Sequence, residues 1–221
     1  MKIGIFDSGI GGTTVMQAIK DVLPDEEYLY FADTKNCPYG SKPFNELYSI
    51  VSANVIHLAD QGAKIIVVAC NTATTQCIKK LRQDYPALTF VGVEPAIRLA
   101  AKSNASKILV LATPGTINSE RTKLLVEENR RPHQTIKLLA CPGLAETIEH
   151  NLTKNPEKIH QKLEELLTDL NFNPDTIVLG CTHYSLIKPE IQAFFPKAQL
   201  IDGNPSIAHR VQQILNNQSE T

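Results

Sequence analysis

An α/β protein made of two similar halves, each a parallel sheet with helices on its faces, is what this sequence predicts, and three observations carry the prediction. Short runs rich in Ile and Val alternate with amphipathic stretches long enough to serve as crossover helices. The segments KIGIFDSG and KIIVVACNT of the first half are echoed in the second by KILVLATPGT and TIVLGCTHY. Across 221 residues, 43% are hydrophobic and 20% charged, which is enough apolar material for a core and too much for a disordered chain.

Taken in order, residues 2–6, 28–32, 64–69, 89–93, 107–111, 136–139, 176–179 and 199–201 read as buried strands, because each is a short aliphatic run bounded by polar or turn residues. Residues 13–23, 44–61, 72–82, 119–128 and 157–170 read as helices. Pro95 and Pro189 stand at helix starts, and Asn118 with Ser119 can cap the helix that follows them. Residues 129–134 are expected to form an exposed loop, and residues 216–221 a frayed end. With no Trp and 6% aromatic residues, aliphatic side chains must fill the core.

Charge and cysteine content narrow the function classes. The balance of 22 Lys and Arg against 23 Asp and Glu leaves a surface without a dominant sign, which argues against a general nucleic-acid binder. There is no apolar span of membrane length. MKIGIFDSG has no signal-peptide pattern, so a cytoplasmic location is expected. The five cysteines, Cys37, Cys70, Cys77, Cys141 and Cys181, are an odd set without a CxxC pair, unlike a disulfide framework or a zinc ribbon.

Two of these cysteines end aliphatic runs. Cys70, in ACNTA, precedes a helix, whose N-terminal amides favour a thiolate or a bound carboxylate, although a buried structural cysteine is the commoner occurrence. Cys181, in GCTHY, has His183 two positions on, and a nearby imidazole can exchange a proton with a thiol. The two stand 111 residues apart, about half the chain, so facing halves would bring both to the carboxyl ends of strands, where open α/β sheets bind ligands. Asp7 and Ser8 open DSGIGG, whose glycines let amides approach a small anion; a tight strand-to-helix turn is the plainer reading. Tyr39 and Gly40 lie in a turn-rich loop, and Tyr39 is placed to close over a ligand. A metal held by Cys70, Cys181 and His183 is not favoured, because closely spaced ligand pairs are missing. No phosphate cradle with a partner lysine points to pyridoxal phosphate.

The motifs DSGIGG (7–12), CPYG (37–40), ACNTA (69–73), VGVEPA (91–96), LATPGT (111–116), CPGLAETIE (141–149), GCTHY (180–184) and LID (200–202) make the chain resemble the cofactor-independent aspartate/glutamate racemases, in order over nearly its whole length. The resemblance implies two α/β domains related by a pseudo-two-fold, residues 1–96 with 206–221 and residues 97–205, and a substrate held between them. It implies racemisation of glutamate by Cys70 and Cys181 acting from opposite faces, with Cys70 serving the D-enantiomer and Cys181 the L-enantiomer. Asp7 would assist Cys70, and His183 with Glu149 would assist Cys181; Glu146, three residues before Glu149, is the less favoured carboxylate. Substrate contacts would come from Asp7, Ser8, Tyr39, Gly40, Asn71, Thr72, Thr182 and His183. No cofactor or metal is expected, the partner is a small amino acid, a role in supplying D-glutamate for peptidoglycan follows, and a homodimer is allowed. Ser185 and Gly203 stand where the family usually has Pro and Ser, and the chain ends soon after a helix at 205–215. Aspartate, or both acids, remains the alternative substrate, and a binding protein without turnover and a redox dithiol are the alternatives of other classes.

Overall fold

The computed structural model describes residues 2–219. Its first sheet is formed by β1 (Lys2–Asp7), β2 (Glu27–Ala32), β3 (Ile65–Val68) and β4 (Thr89–Gly92), in the order β2-β1-β3-β4 and parallel throughout. The second sheet repeats that order with β5 (Lys107–Ala112), β6 (Thr135–Ala140), β7 (Thr176–Gly180) and β8 (Gln199–Ile201), as β6-β5-β7-β8. The two sequence echoes therefore fall on the same pair of strands in each sheet, β1 with β3 and β5 with β7. These are the central strands, and burial on both faces accounts for their unbroken runs of Ile, Val and Leu.

In chain order the helices are α1 (Gly12–Val22), α2 (Phe44–Asp60), α3 (Asn71–Asp84), α4 (Ile97–Lys102), α5 (Pro114–Ile117), α6 (Glu120–Asn129), α7 (Leu144–Asn151), α8 (Pro156–Leu167), α9 (Lys188–Phe194) and α10 (Asn204–Ser219). Ser119 caps α6 by accepting from the Thr122 amide at 3.2 Å, as its position before the helix suggested. Helix α4 buries Ile97 and Ala100 against Ile108, Val110 and Val178 of the second sheet. Helix α10 returns to the first sheet, where Ala208, Val211 and Leu215 pack with Ile3, Ile5, Val15 and Ile19. Buried aliphatic side chains dominate all four apolar clusters, as the shortage of aromatic residues required.

Two expectations are corrected. Residues 130–133 of the expected loop are exposed, but Gln134 is buried, and its amide donates to the Ala101 and Ala105 carbonyls at 3.1 and 2.9 Å. A side chain that satisfies carbonyls at the end of α4 anchors this loop, a role invisible in its polar composition. At the other end, α10 runs through Ser219, so the frayed segment does not begin at Asn216; Glu220 and Thr221 lie outside the described residues. Among the described residues no helix is long and apolar enough to cross a membrane.

Candidate active site

Both sheets present their carboxyl ends to one another. Asp7 ends β1, Cys70 stands at the N-terminus of α3 just past β3, Thr113 follows β5, and Cys181 follows β7. Cys70 and Cys181 are each followed by residues that turn sharply out of the sheet, into α3 in the first case and into a 3-10 turn, Thr182–Ile187, in the second. The two sulfurs line one small cavity, together with Ser8, Cys37, Tyr39, Asn71, Thr72 and Thr113. Its volume is about 10 Å³, room for roughly one water molecule. A neighbouring recess of about 180 Å³ shares Pro38, Gly40, Thr113 and Ala145 with it and reaches outward to Glu146. Broader surface grooves of about 570 and 530 Å³ hold neither cysteine.

Cys70 is buried beside a carboxylate. The Ala73 amide and the Ser8 hydroxyl donate toward its sulfur, yet burial first and the negative Asp7 next push the thiol up. Asp7 is itself fully enclosed, and burial raises its carboxyl above the usual range even though His183, two amides and Thr182 pull the other way. Its Oδ2 accepts from the Gly12 amide at 2.9 Å and the Gly9 amide at 3.3 Å, while the Thr182 hydroxyl, from the other half, donates to Oδ1 at 3.2 Å.

Cys181 is buried beside an imidazole instead. Its Sγ lies 3.9 Å from His183 Nδ1, and His183 Nε2 donates to Glu149 Oε2 at 2.6 Å. Burial alone would lower the His183 pKa, but the hydrogen bonds to Cys181 and Glu149 and the negative Asp7 push it up to about 10. Glu149 moves the opposite way. Burial would raise it, and the hydrogen bonds from His183 and the Ile10 amide hold it below the usual carboxylate value. His183 and Glu149 therefore form a buried ion pair at neutral pH, and the imidazolium keeps a proton directed at Cys181.

The DSGIGG loop does something other than cradle a free anion. Its amides are occupied by the protein's own carboxylates, Asp7 on Gly9 and Gly12, and Glu149 on Ile10. The glycines are needed for close packing between the halves: a Cβ on Gly9 would come within 2.2 Å of Glu149 Oε2, and one on Gly11 within 2.5 Å of the His183 amide nitrogen. Of the expected substrate contacts, Ser8, Tyr39, Gly40, Asn71 and Thr72 line the cavity, whereas Asp7, Thr182 and His183 stand outside its lining.

Several of those side chains already have partners. Asn71 donates to the Val93 carbonyl at 3.0 Å, and Thr72 bonds across the cleft to Thr113 at 2.8 Å and Thr116 at 3.2 Å. The Tyr39 hydroxyl donates to Asp33 at 2.6 Å and receives the Asn54 amide at 2.8 Å, so its ring is held in place by a buried network. Glu146 is exposed and has no place beside His183, which distinguishes it from Glu149. Sequence reading assigned no role to Thr113 or Cys37, both of which line the cavity. Thr113 was findable, because the echo puts it just past β5 where Asp7 ends β1; Cys37, in an irregular loop, carries no such signal.

Residues 10–211 match the Asp/Glu/Hydantoin racemase family. Among curated proteins, the glutamate racemase of Roseiflexus sp. (strain RS-1) is 42% identical over 217 residues, which cover 96% of this chain and 79% of the relative. Among solved structures, Escherichia coli glutamate racemase in complex with L-glutamate and the activator UDP-MurNAc-Ala superposes with a TM-score of 0.84 at 32% identity, covering 97% of this chain and 82% of that one. Glutamate racemase of Francisella tularensis subsp. tularensis SCHU S4 in complex with D-glutamate superposes with a TM-score of 0.83 at 27% identity, covering 99% and 82%.

Proposed function

The chain belongs to the Asp/Glu/Hydantoin racemase family and is an amino-acid racemase; on that premise we propose that it interconverts L- and D-glutamate by proton transfer between Cys70, Cys181 and the substrate α-carbon. The observation that carries this reading is the pair of sulfurs, one from each half, lining a single cavity. Inverting a stereocentre through its α-proton needs a base on one face and an acid on the other, and two groups of the same chemical type serve both directions. In each turnover one sulfur begins as thiolate and removes the proton; the other begins as thiol and delivers one to the opposite face. By resemblance, Cys70 serves D-glutamate with Asp7 behind it, and Cys181 serves L-glutamate with His183 and Glu149 behind it.

The α-proton of an amino acid is far less acidic than a thiol, so negative charge developing near the α-carbon must be met by fixed dipoles and charges. The first turn of α3, the hydroxyls of Ser8, Thr72 and Thr113, and the proton held by His183 supply them. A cavity of about 10 Å³ is too small for glutamate, so the walls formed by the Pro38–Gly40 loop on one side and Thr113 and Ala145 on the other must part to admit it. Supply of D-glutamate for peptidoglycan, in the cytoplasm and without a cofactor, completes the proposal.

Solvent deuterium exchange tests it. With Cys70→Ser or Cys181→Ser, incorporation at the α-carbon should persist from one enantiomer and vanish from the other; full racemisation by either variant overturns the reading. Aspartate is the second substrate to measure, because Ser185 and Gly203 depart from the family's usual residues, and a chiral assay of both acids decides between them.

A further inference from the structure

One thiol at the cavity has no part in that chemistry. Cys37 follows the 3-10 turn Thr34–Asn36 of the first half, lines the same cavity as Cys70 and Cys181, and is the one cysteine of the five that is not buried. Its sulfur, a carboxylate oxygen of Glu149 and a ring nitrogen of His183 all lie within 4.8 Å of one another. Glu149 comes from α7 and His183 from the turn after β7, so the three donors are brought together only when the halves meet.

We propose that Cys37, Glu149 and His183 form a binding site for a zinc-class divalent cation, and that occupation of this site clamps the two halves together and inhibits the enzyme. Thiolate, carboxylate and imidazole are the donors that Zn²⁺ takes, at bond lengths of about 2.0 to 2.3 Å. A tetrahedral ion with such bonds keeps its donors roughly 3.5 Å apart. Reaching that spacing requires the 2.6 Å contact between His183 and Glu149 to open and Cys37 to close by about an ångström, changes within reach of side-chain torsions. The fourth position is left to water.

The ion takes the Cys37 thiolate by displacing its proton. On binding, the Cys37 thiol proton and a proton of the His183 imidazolium pass to the buffer. Inhibition follows because a bond between the halves opposes the parting needed for substrate entry, and because the ion breaks the Glu149–His183 ion pair behind Cys181. This consequence rests on the racemase reading; binding itself does not.

The test uses the whole chain stripped of metal. Co²⁺ as a spectroscopic probe should bind with one equivalent and give a thiolate-to-cobalt charge-transfer band that Zn²⁺ displaces. In the unaltered protein, Zn²⁺ but not Mg²⁺ should protect Cys37 from alkylation, read by mass spectrometry of its peptide. Cys37→Ser should weaken Zn²⁺ binding roughly tenfold or more, and zinc inhibition, taken as the ratio of rates with and without metal within each protein, should weaken by the same factor. A cobalt band that survives in Cys37→Ser, a band lost only in Cys70→Ser or Cys181→Ser, or unprotected Cys37 in the unaltered chain each overturns the proposal. If cobalt binds through Cys37 in a protein that racemises no amino acid, the racemase reading fails and the cation site stands.

Discussion

The surroundings of Cys70 and Cys181 differ although the strands that deliver them are topological equivalents. Cys70 stands at the start of a helix of 14 residues with the buried carboxylate of Asp7 for a neighbour, and burial first and that carboxylate next push its thiol up. Cys181 leads into a short 3-10 turn and has the imidazolium of His183, held by Glu149. A duplicated architecture can thus place two like groups symmetrically while the residues behind them break the symmetry. Those supporting residues are shared across the cleft: Asp7 of the first half is bonded by Thr182 of the second, and Glu149 of the second is bonded by the Ile10 amide of the first.

The largest effect should come from the sulfurs themselves. Replacing either cysteine by serine is expected to lower racemisation by roughly 10²- to 10⁴-fold, measured polarimetrically, while α-proton exchange with solvent survives from one enantiomer; exchange surviving equally from both would break the assignment of one sulfur to each enantiomer. Glu149→Gln comes next. It should cost about 10- to 100-fold in racemisation and slow solvent exchange of the α-proton from L-glutamate more than from D-glutamate, because it frees His183 behind Cys181 only. Equal losses of exchange from both enantiomers would mean that the two sides are not separately supported.

Stability against pH sharpens the same contrast. His183 is raised from 6.5 to about 10 in the folded state, so its contribution is fully present below pH 6.5 and is lost as pH climbs toward about 10. Glu149 is lowered, so its share is present above the usual value of 4.5 and disappears as pH falls through its lower folded value. The thermal midpoint should therefore decline between pH 6.5 and 10, and Glu149→Gln should flatten that decline; an unchanged slope would argue against the ion pair. On the Cys70 side, Asp7→Asn removes the negative neighbour, and the pH midpoint for alkylation of Cys70 should move down. The smallest effect is expected at Arg121, whose guanidinium donates to both oxygens of Glu94 at 2.7 and 3.0 Å between the halves. The pair is about a third exposed, so Arg121→Ala should cost no more than about 1 kcal/mol by denaturant titration.

Much of the fold was legible because a strand buried on both faces has to be an aliphatic run. Among the described residues all eight strands and five of the six helices of ten or more residues fall within two or three residues of where periodicity puts them, and α10 runs four residues past its expected end. Cys70, Cys181 and Thr113 were findable for a related reason, since each follows a central strand of the echo. Gln134 was not, because a buried glutamine serving two carbonyls has the same local signature as one in a solvated loop.

What the sequence by itself determined, then, is the α/β class, the doubling, and the placing of two thiols at strand ends, all consequences of burial periodicity along a local stretch of chain. Tertiary structure alone decided that the glycine loop serves Asp7 and Glu149 rather than a free anion, that Gly9 and Gly11 are small because Glu149 and His183 press on them, and that Cys37 joins those two residues. Apart from those of Asp7 within its own loop, these contacts join the first half to Glu149 and His183 of the second, more than 100 residues away. They depend on how two finished surfaces dock, and docking leaves no periodic mark in either segment.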